Sequence, residues 1–412
     1  MRHLALQCAA ILILSAACVE PELVWTGTVT DSSGVTIVAN PGTGLWDSSA
    51  AWVVQEELRI GVLDGDPDYQ FGYVQSVGAG QDGRIYVLDQ LEKHVRVFSS
   101  DGELERVIGG PGDGPGELGR FPSFLAVLPG DTLIVYDTPR RVNRYLSDGT
   151  VLEALPVDVQ EGMPLAWSAS PSGEVALQLR SMVGPQGAGA NVDPLDAIVH
   201  YGGTRLLGDT LLRIPRGESR VGYAPVYSQE PVWTVGDDLT VLYGVNADYR
   251  IGYYRDGSVE RVVTKEYGDR PVTDSERAAI LSARERIQLA GGLDPAAVAQ
   301  MRDRTSFGEH VPPMQAIHAG PDGSIWVAKV ATFTSLSEQQ QDLYSYISNV
   351  AGPQWDVFDG EGRFLGEVAM PDTFVPHAFV GEKIYGVVRG DLDEQYVVRL
   401  GVVRPSVGRP SR

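Results

Sequence analysis

The stretch Gly80-Gln81-Asp82-Gly83-Arg84-Ile85-Tyr86-Val87-Leu88-Asp89, continued by Lys93-His94-Val95-Arg96-Val97-Phe98-Ser99-Ser100-Asp101-Gly102 and then by Leu104 to Gly109, decides the fold. A tight turn precedes an apolar run, and the pattern repeats at once. Asp-Gly between apolar runs is a hairpin signal, because both turn positions tolerate positive φ. A second copy reads Gly130-Asp131-Thr132-Leu133-Ile134-Val135-Tyr136-Asp137 and resumes from Arg141 to Gly149, with Asp148 47 residues after Asp101. A later copy begins Gly320-Pro321-Asp322-Gly323-Ser324-Ile325-Trp326-Val327 and resumes at Val357-Phe358-Asp359-Gly360. Weaker copies run near 164–214, 232–265 and 375–400.

Repeats of ~40–50 residues with four short strands each are blades of a β-propeller, units that bury their faces only by stacking on one another. The last copy has three strands, near 375–380, 383–388 and 395–400. Leu58-Arg59-Ile60-Gly61 aligns with Arg106-Val107-Ile108-Gly109, the fourth strand of the first full copy. The N-terminal strand at 57–61 is therefore expected to complete the last blade and close the ring. The expected fold is all-β, a six-bladed propeller of four-stranded blades over 57–400. Residues 18–56 form an N-terminal linker with a strand near Gly34 to Val38, and 401–412 a short basic tail.

These units resemble NHL repeats and the six-bladed propeller lipoproteins built from similar units, most clearly over 73–149. The resemblance implies the fold. It leaves function open, since such propellers include binding scaffolds, lyases and hydrolases.

Composition narrows the field. The 48 glycines and 26 prolines among 412 residues exceed average usage and lie between apolar runs, while 43% hydrophobic residues supply a core. A net charge of −21 gives no basic face for nucleic acid or anionic lipid. Both cysteines, Cys8 and Cys18, fall in the first eighteen residues, so the body holds no disulfide and no cysteine-based zinc site. Met1-Arg2-His3 and the apolar run ending Ile11-Leu12-Ile13-Leu14 read as an export signal, too short to span a bilayer. Ser15-Ala16-Ala17-Cys18 resembles a bacterial lipobox, with Ser15 where that pattern prefers Leu. The resemblance implies cleavage after residue 17, a lipid on Cys18 and, with Val19 following, an outer-membrane address.

Connections in a four-stranded blade alternate between the two rims. Asp-Gly turns at 82, 101, 148, 256 and 322 share one rim. The extra sequence, at about 180–196, 268–312 and 331–351, falls on the other. Thr273-Asp274-Ser275-Glu276 and Ser335-Leu336-Ser337-Glu338 read as capping boxes, and Asp294-Pro295 as a second helix start within 268–312. Expanded loops opposite tight turns mark a binding face.

Catalytic signatures are missing: no HExxH, GxSxG or phosphate-binding loop occurs, and the five histidines after the signal (94, 200, 310, 318, 377) lack metal-ligand spacing. Asp64-Gly65-Asp66-Pro67-Asp68 places three carboxylates alternately but lacks the distal ligand of a calcium loop. Asp89 and Asp137 end equivalent second strands at the expected pore mouth. A calcium-dependent hydrolase of the gluconolactonase kind needs acidic or Asn ligands there from several blades, whereas the aligned positions here are Leu179, Gly244 and Lys329. Asp89 and Asp137 are accordingly expected to bond their own turns, and Arg140, Arg141 and Lys329 to offer charge to an anionic group. The expected binding residues are Asp89, Asp137, Arg140, Arg141 and Lys329, with no cofactor and no catalysis. The expected role is a lipid-anchored scaffold for a small ligand or an envelope protein. The alternative is a calcium-dependent hydrolase or lyase on the same fold.

Overall fold

Each repeat folds into a four-stranded antiparallel sheet in a computed structural model that describes residues 24–46, 50–130, 132–158, 162–181, 195–202, 208–218 and 224–405. Before the first complete repeat come β1 (Thr28–Ser32), β2 (Val35–Asn40) and β3 (Val53–Ile60). Blade one is β4 (Val74–Ala79), β5 (Ile85–Asp89), β6 (His94–Phe98) and β7 (Leu104–Gly109). Blade two is β8 (Phe121–Leu128), β9 (Thr132–Thr138), β10 (Arg141–Leu146) and β11 (Val151–Pro156). Blade three is β12 (Met163–Ala169), β13 (Val175–Arg180), β14 (Leu195–His200) and β15 (Thr210–Pro215). Blade four is β16 (Pro231–Val235), β17 (Val241–Val245), β18 (Arg250–Arg255) and β19 (Ser258–Lys265). Blade five is β20 (Met314–Ala319), β21 (Ile325–Val330), β22 (Ala351–Phe358) and β23 (Phe364–Ala369). Blade six is β24 (Val375–Val380), β25 (Lys383–Arg389) and β26 (Gln395–Val403), with β3 as its fourth strand.

Second strands such as Ile85-Tyr86-Val87-Leu88-Asp89 are buried throughout, because a blade meets a neighbour on both faces. Apolar clusters fill the interfaces between consecutive blades and also join blade six to blade one through Ile60, Val77, Tyr385 and Val397. The ring is closed. First strands are bulged in five of the six blades, at Val74/Ser76, Pro122/Phe124, Pro164/Ala166, Met314/Ala316 and Pro376/Ala378. Proline at three of these sites costs little, since a bulge already interrupts the ladder.

The closing strand pairs Val397 with Ile60 and Val403 with Val53, so it starts four residues before the expected 57. Its first half reads Val53-Val54-Gln55-Glu56, two valines followed by two exposed polar residues, without the apolar alternation that marks 58–60. The strand near Gly34 finds its partner: β2 lies parallel to β19, and β1 folds back on β2, giving blade four six strands. Asn40 secures this addition. Its Nδ2 donates to Thr264 O (3.0 Å) and Gly362 O (2.9 Å), while its Oδ1 accepts from Trp25 Nε1 (3.0 Å) and Phe364 N (2.6 Å). The chain then passes along blade five, where Leu45 N and Trp46 N donate to Phe364 O and Leu365 O, before entering blade six as β3. The start of the expected tail is structural as well. Arg404 pairs with Asp322 (2.8 Å) and Glu382 (3.1 Å) and covers the Trp52 ring. Residues 406–412 lie outside the described residues.

Among the described residues, three α-helices occupy connections on one rim: α1 (Asp274–Ala290) and α2 (Pro295–Arg304) between blades four and five, and α3 (Glu338–Tyr344) between β21 and β22. The Asp-Gly turns at 82, 101, 148, 256 and 322 lie at first and third connections, on the opposite rim. Most of the expected insertion at 180–196 lies outside the described residues.

Candidate functional site

The elaborated rim is assembled around one carboxylate. Glu276, in the first turn of α1, is 4% exposed and pairs with no basic side chain among the described residues. Its oxygens accept from Tyr227 Oη (2.9 Å), Phe333 N (2.9 Å), Thr334 N (3.2 Å) and Thr334 Oγ1. Four donors and the positive end of α1 supply the stabilisation that a counter-ion otherwise would. Burial pushes the Tyr227 phenol up, and the Glu276 charge adds to the shift, so Tyr227 stays a donor. Val226, Tyr227, Val272, Ile280, Ala283, Val311, Val330 and Phe333 pack beneath. The 268–312 and 331–351 insertions therefore meet, together with a third element the sequence reading passed over, the crossover around 224–230.

Two caps differ from expectation. Thr273 caps Glu276 N (3.2 Å), but the Glu276 side chain turns inward to the rim instead of back to the cap, because buried donors compete for it. The complete capping box is Ser337 with Gln340, two residues after the expected Ser335 box. α2 starts as expected, with Asp294 Oδ1 accepting from Ala296 N (2.8 Å) and Ala297 N (3.3 Å).

The five expected binding residues fall into three separate clusters. Asp89 is wholly buried and accepts from Gly72 N (2.8 Å), Tyr73 N, Leu91 N and Glu92 N (3.1 Å each), with Arg96 Nη1 at 3.1 Å. Burial alone would raise its pKa, but the N–H groups of Glu92, Gly72 and Tyr73, with Arg96, hold it below its ordinary value. Asp137, also wholly buried, accepts one backbone bond, from Gly119 N (3.0 Å), with Arg141 Nε at 3.7 Å. There burial wins and the pKa is raised. Gly119 is required for this approach: a Cβ would stand 2.9 Å from Asp137 Oδ2. Arg140 pairs with Asp113, and Arg141 donates to Asp113 O and Glu117 O (2.9 Å each), so both arginines hold the 110–120 crossover. Lys329 sits elsewhere, 2.6 Å from Glu367 and 3.7 Å from Asp356.

A rule emerges that the aligned position alone concealed. In blades one and two the buried acid is on the second strand and its base on the third: Asp89 with Arg96, Asp137 with Arg141. Blades three and five reverse the pair, with Arg180 on β13 meeting Asp196 on β14 (2.8 Å) and Lys329 on β21 meeting Asp356 on β22. Asp356 is held further by Tyr249 Oη (2.6 Å) and Lys265 (3.2 Å). Lys329 is thus the counter-ion of its own blade. These four acids are buried, each with its own basic partner, which does not fit the open, convergent oxygens a calcium ion requires.

A cavity of about 520 Å³ opens on the elaborated rim between blades five and six, under α3. None of the five expected residues lines it. Its polar wall is Gln315 and His318 of β20, near Asn349 and Gln340 of the blade-five insertion. The His318 ring lies between Trp355 and Phe379, 5.3 Å from each centroid. Burial lowers its pKa to about 4, with His377 adding to the effect, and burial lowers His377 to about 4 as well, so both are neutral at pH 7. Lone histidines gave no sequence signal for this pairing, which only the abutment of β20 and β24 creates.

With this geometry in place, the comparisons fall on the fold. Residues 63–162, covering blades one and two, match a family model described as 6-bladed beta-propeller. No curated protein matches the chain in sequence. Among solved structures, the chain is similar to a Bacteroides fragilis protein described as exported, at 10% identity over 89% of this chain and 100% of that one, TM-score 0.49. It is similar to virginiamycin B lyase from Staphylococcus aureus at 11% identity over 86% and 100%, TM-score 0.42, and to a gluconolactonase from Xanthomonas campestris at 13% over 81% and 87%, TM-score 0.41. Six four-stranded blades, joined end to end by β3, make the chain a six-bladed β-propeller.

Proposed function

We propose that this propeller is an exported binding module, held to the bacterial envelope by a lipid on Cys18, which engages a small ligand or an envelope protein on its elaborated rim without catalysing a reaction. One observation carries the reading. Large apolar side chains left exposed gather on crossovers, second connections and the strand ends beside them, including Leu63, Leu91, Phe121, Tyr346, Val375 and Leu392. Among the described residues, none lies in a first- or third-connection turn. Scattered exposed apolar groups are ordinary, and Val53, Val151, Leu152 and Val403 stand at turn-rim strand ends, but the concentration of most of the others on one rim is how interaction faces are built. The wholly buried Asp89 and Asp137, each bonded within the fold, favour this reading over calcium-dependent hydrolysis. No helix among the described residues is long and apolar enough to cross a membrane. Cys18 lies outside the described residues.

The test is site-specific photocrosslinking in intact cells, with a benzophenone side chain at Leu91 or Phe121 on the elaborated rim and at Asp101 or Asp256 on the turn rim. Adducts are expected from the first pair only. Adducts from the turn rim alone, or calcium-dependent turnover of a lactone by the purified protein, would overturn the reading.

A further inference from the structure

We infer that the cleft between blades five and six, roofed by α3, is a binding site for an uncharged, largely apolar small molecule that carries hydrogen-bonding groups. The inference rests on the elaborated rim being the binding face, and names the place and the ligand chemistry.

Small residues keep the cleft open. Ala316 on β20 and Ala351 on β22 line it where larger side chains would fill it, together with Leu336, Tyr344 and Phe374. The roof is tethered to the far wall, since Gln339 Nε2 of α3 donates to Asp391 O of blade six (2.7 Å). Below, the stack of Trp355, His318 and Phe379 fixes the floor. A cavity of about 520 Å³ with rigid aromatic walls is preformed and of a size that suits a compact organic ligand.

Charge selects the ligand class. Asp372 is the one carboxylate on the lining, it is exposed, and no arginine or lysine joins it. An anion entering the cleft would lose its water with no counter-charge to replace it. The polar groups on offer are neutral. The side chains of Gln315 and His318 have no hydrogen-bond partner among the described residues, and Asn349 Oδ1 is buried without one, its Nδ2 being committed to Ser228 O (3.1 Å). Unused neutral donors and acceptors in an apolar cavity fix a ligand's orientation by hydrogen bonds.

The probe is N-phenyl-1-naphthylamine, which is neutral, aromatic and fluorescent in apolar surroundings, titrated into the full-length protein. Saturable one-to-one binding is expected, weakened about tenfold or more by Ala351→Trp, which fills the mouth, and by Val375→Asp, which charges it. Both positions are exposed, so thermal unfolding should stay near wild type. Leu289→Asp, an exposed change elsewhere on the rim, should leave binding unaltered. The anionic analogue anilinonaphthalene sulfonate should bind more weakly. Non-saturable fluorescence, or affinity unchanged in both cleft variants, would overturn the cleft. If crosslinks at Leu91 and Phe121 persist in that case, the rim reading stands and the cleft alone is removed. If they too are absent, both fall.

Discussion

The Tyr227 hydroxyl donates to the Glu276 carboxylate at 2.9 Å, joining the crossover between blades three and four to the crossover between blades four and five. Phe333 N completes the triangle, 2.9 Å from both the Tyr227 and the Glu276 oxygens, and brings in the insertion of blade five. One buried carboxylate thus helps lock three loops, beside the backbone bridge in which Val226 N donates to Ser306 O and Gly308 N to Val226 O, and the bond from Tyr227 N to Ser348 O.

Glu276→Ala should release this lock. Each lost bond to a charged acceptor is worth about 1.5–3 kcal/mol, so the rim should loosen by several kcal/mol while the blades persist. Tyr227→Phe should cost about 1.5 kcal/mol. Hydrogen exchange should accelerate at 274–290 and 332–344 and stay unchanged in blades one and two. Equal acceleration in both places would show that the rim is not a separate unit.

Asp89 and Asp137 should respond to substitution with different size and pH dependence. The folded protein prefers Asp89 ionised, so its contribution is present at neutral pH and disappears as pH falls through its depressed pKa. Asp89→Ala strands a buried Arg96 and should cost about 3–5 kcal/mol at pH 7, with the difference shrinking below about pH 4. The folded protein prefers Asp137 protonated, so its ionisation subtracts from stability at neutral pH and the penalty fades as pH falls. Asp137→Asn keeps an acceptor for Gly119 N and should change stability by less than about 1 kcal/mol at pH 7. Urea unfolding of both variants at the two pH values checks this.

His318 and His377 predict a loss of stability in mild acid. Their unfolded pKa is about 6.5, while the folded values are about 4. Between these limits the unfolded chain binds more protons, so stability is full above the upper one and falls as pH drops toward the lower. The pair should account for at most a few kcal/mol. His318→Phe with His377→Phe should flatten the urea midpoint across this window, and an unchanged slope would assign it to other groups.

N-terminal truncations should act in steps. Removing residues up to 32 deletes an exposed strand and should leave cooperative unfolding intact. Removing residues up to 41 also takes Asn40 and its three remaining hydrogen bonds, exposing the β19 edge, and should lower stability by about 2–4 kcal/mol. Removing residues up to 62 deletes β3, opens blade six and should abolish the cooperative transition. Calorimetry of the three truncations checks the order.

Cys18→Ala should move the protein from the detergent to the aqueous phase in a partition assay and leave its thermal unfolding unchanged. Aqueous partition of the wild type would remove the lipid anchor and leave the propeller untouched.

Much of the architecture was legible because its signals are local. Asp82-Gly83, Asp101-Gly102 and Asp148-Gly149 specify turns within four residues, and continuous runs such as Ile85 to Leu88 announce strands covered on both faces. Asp294-Pro295 announced α2 in the same way. The capping reading of Glu276 failed for a matching reason. A side chain three residues from Thr273 satisfies the local rule, yet donors more than fifty residues away in sequence claimed it. Lys329 misled similarly, because alignment places it beside Asp89 and Asp137, while its partners Glu367 and Asp356 belong to neighbouring strands of blade five.

The sequence by itself determined the repeat, the blade count, the closing strand and the rim that carries the insertions, since periodicity, turn chemistry and strand alternation are short-range properties read along the chain. Tertiary structure alone decided which acid meets which base, where Asn40 fastens the N-terminal hairpin, and that a neutral cleft opens between blades five and six. Those outcomes depend on how side chains from separate blades superpose once the ring closes, and repeats of nearly equal local pattern carry no sign of their neighbours' register.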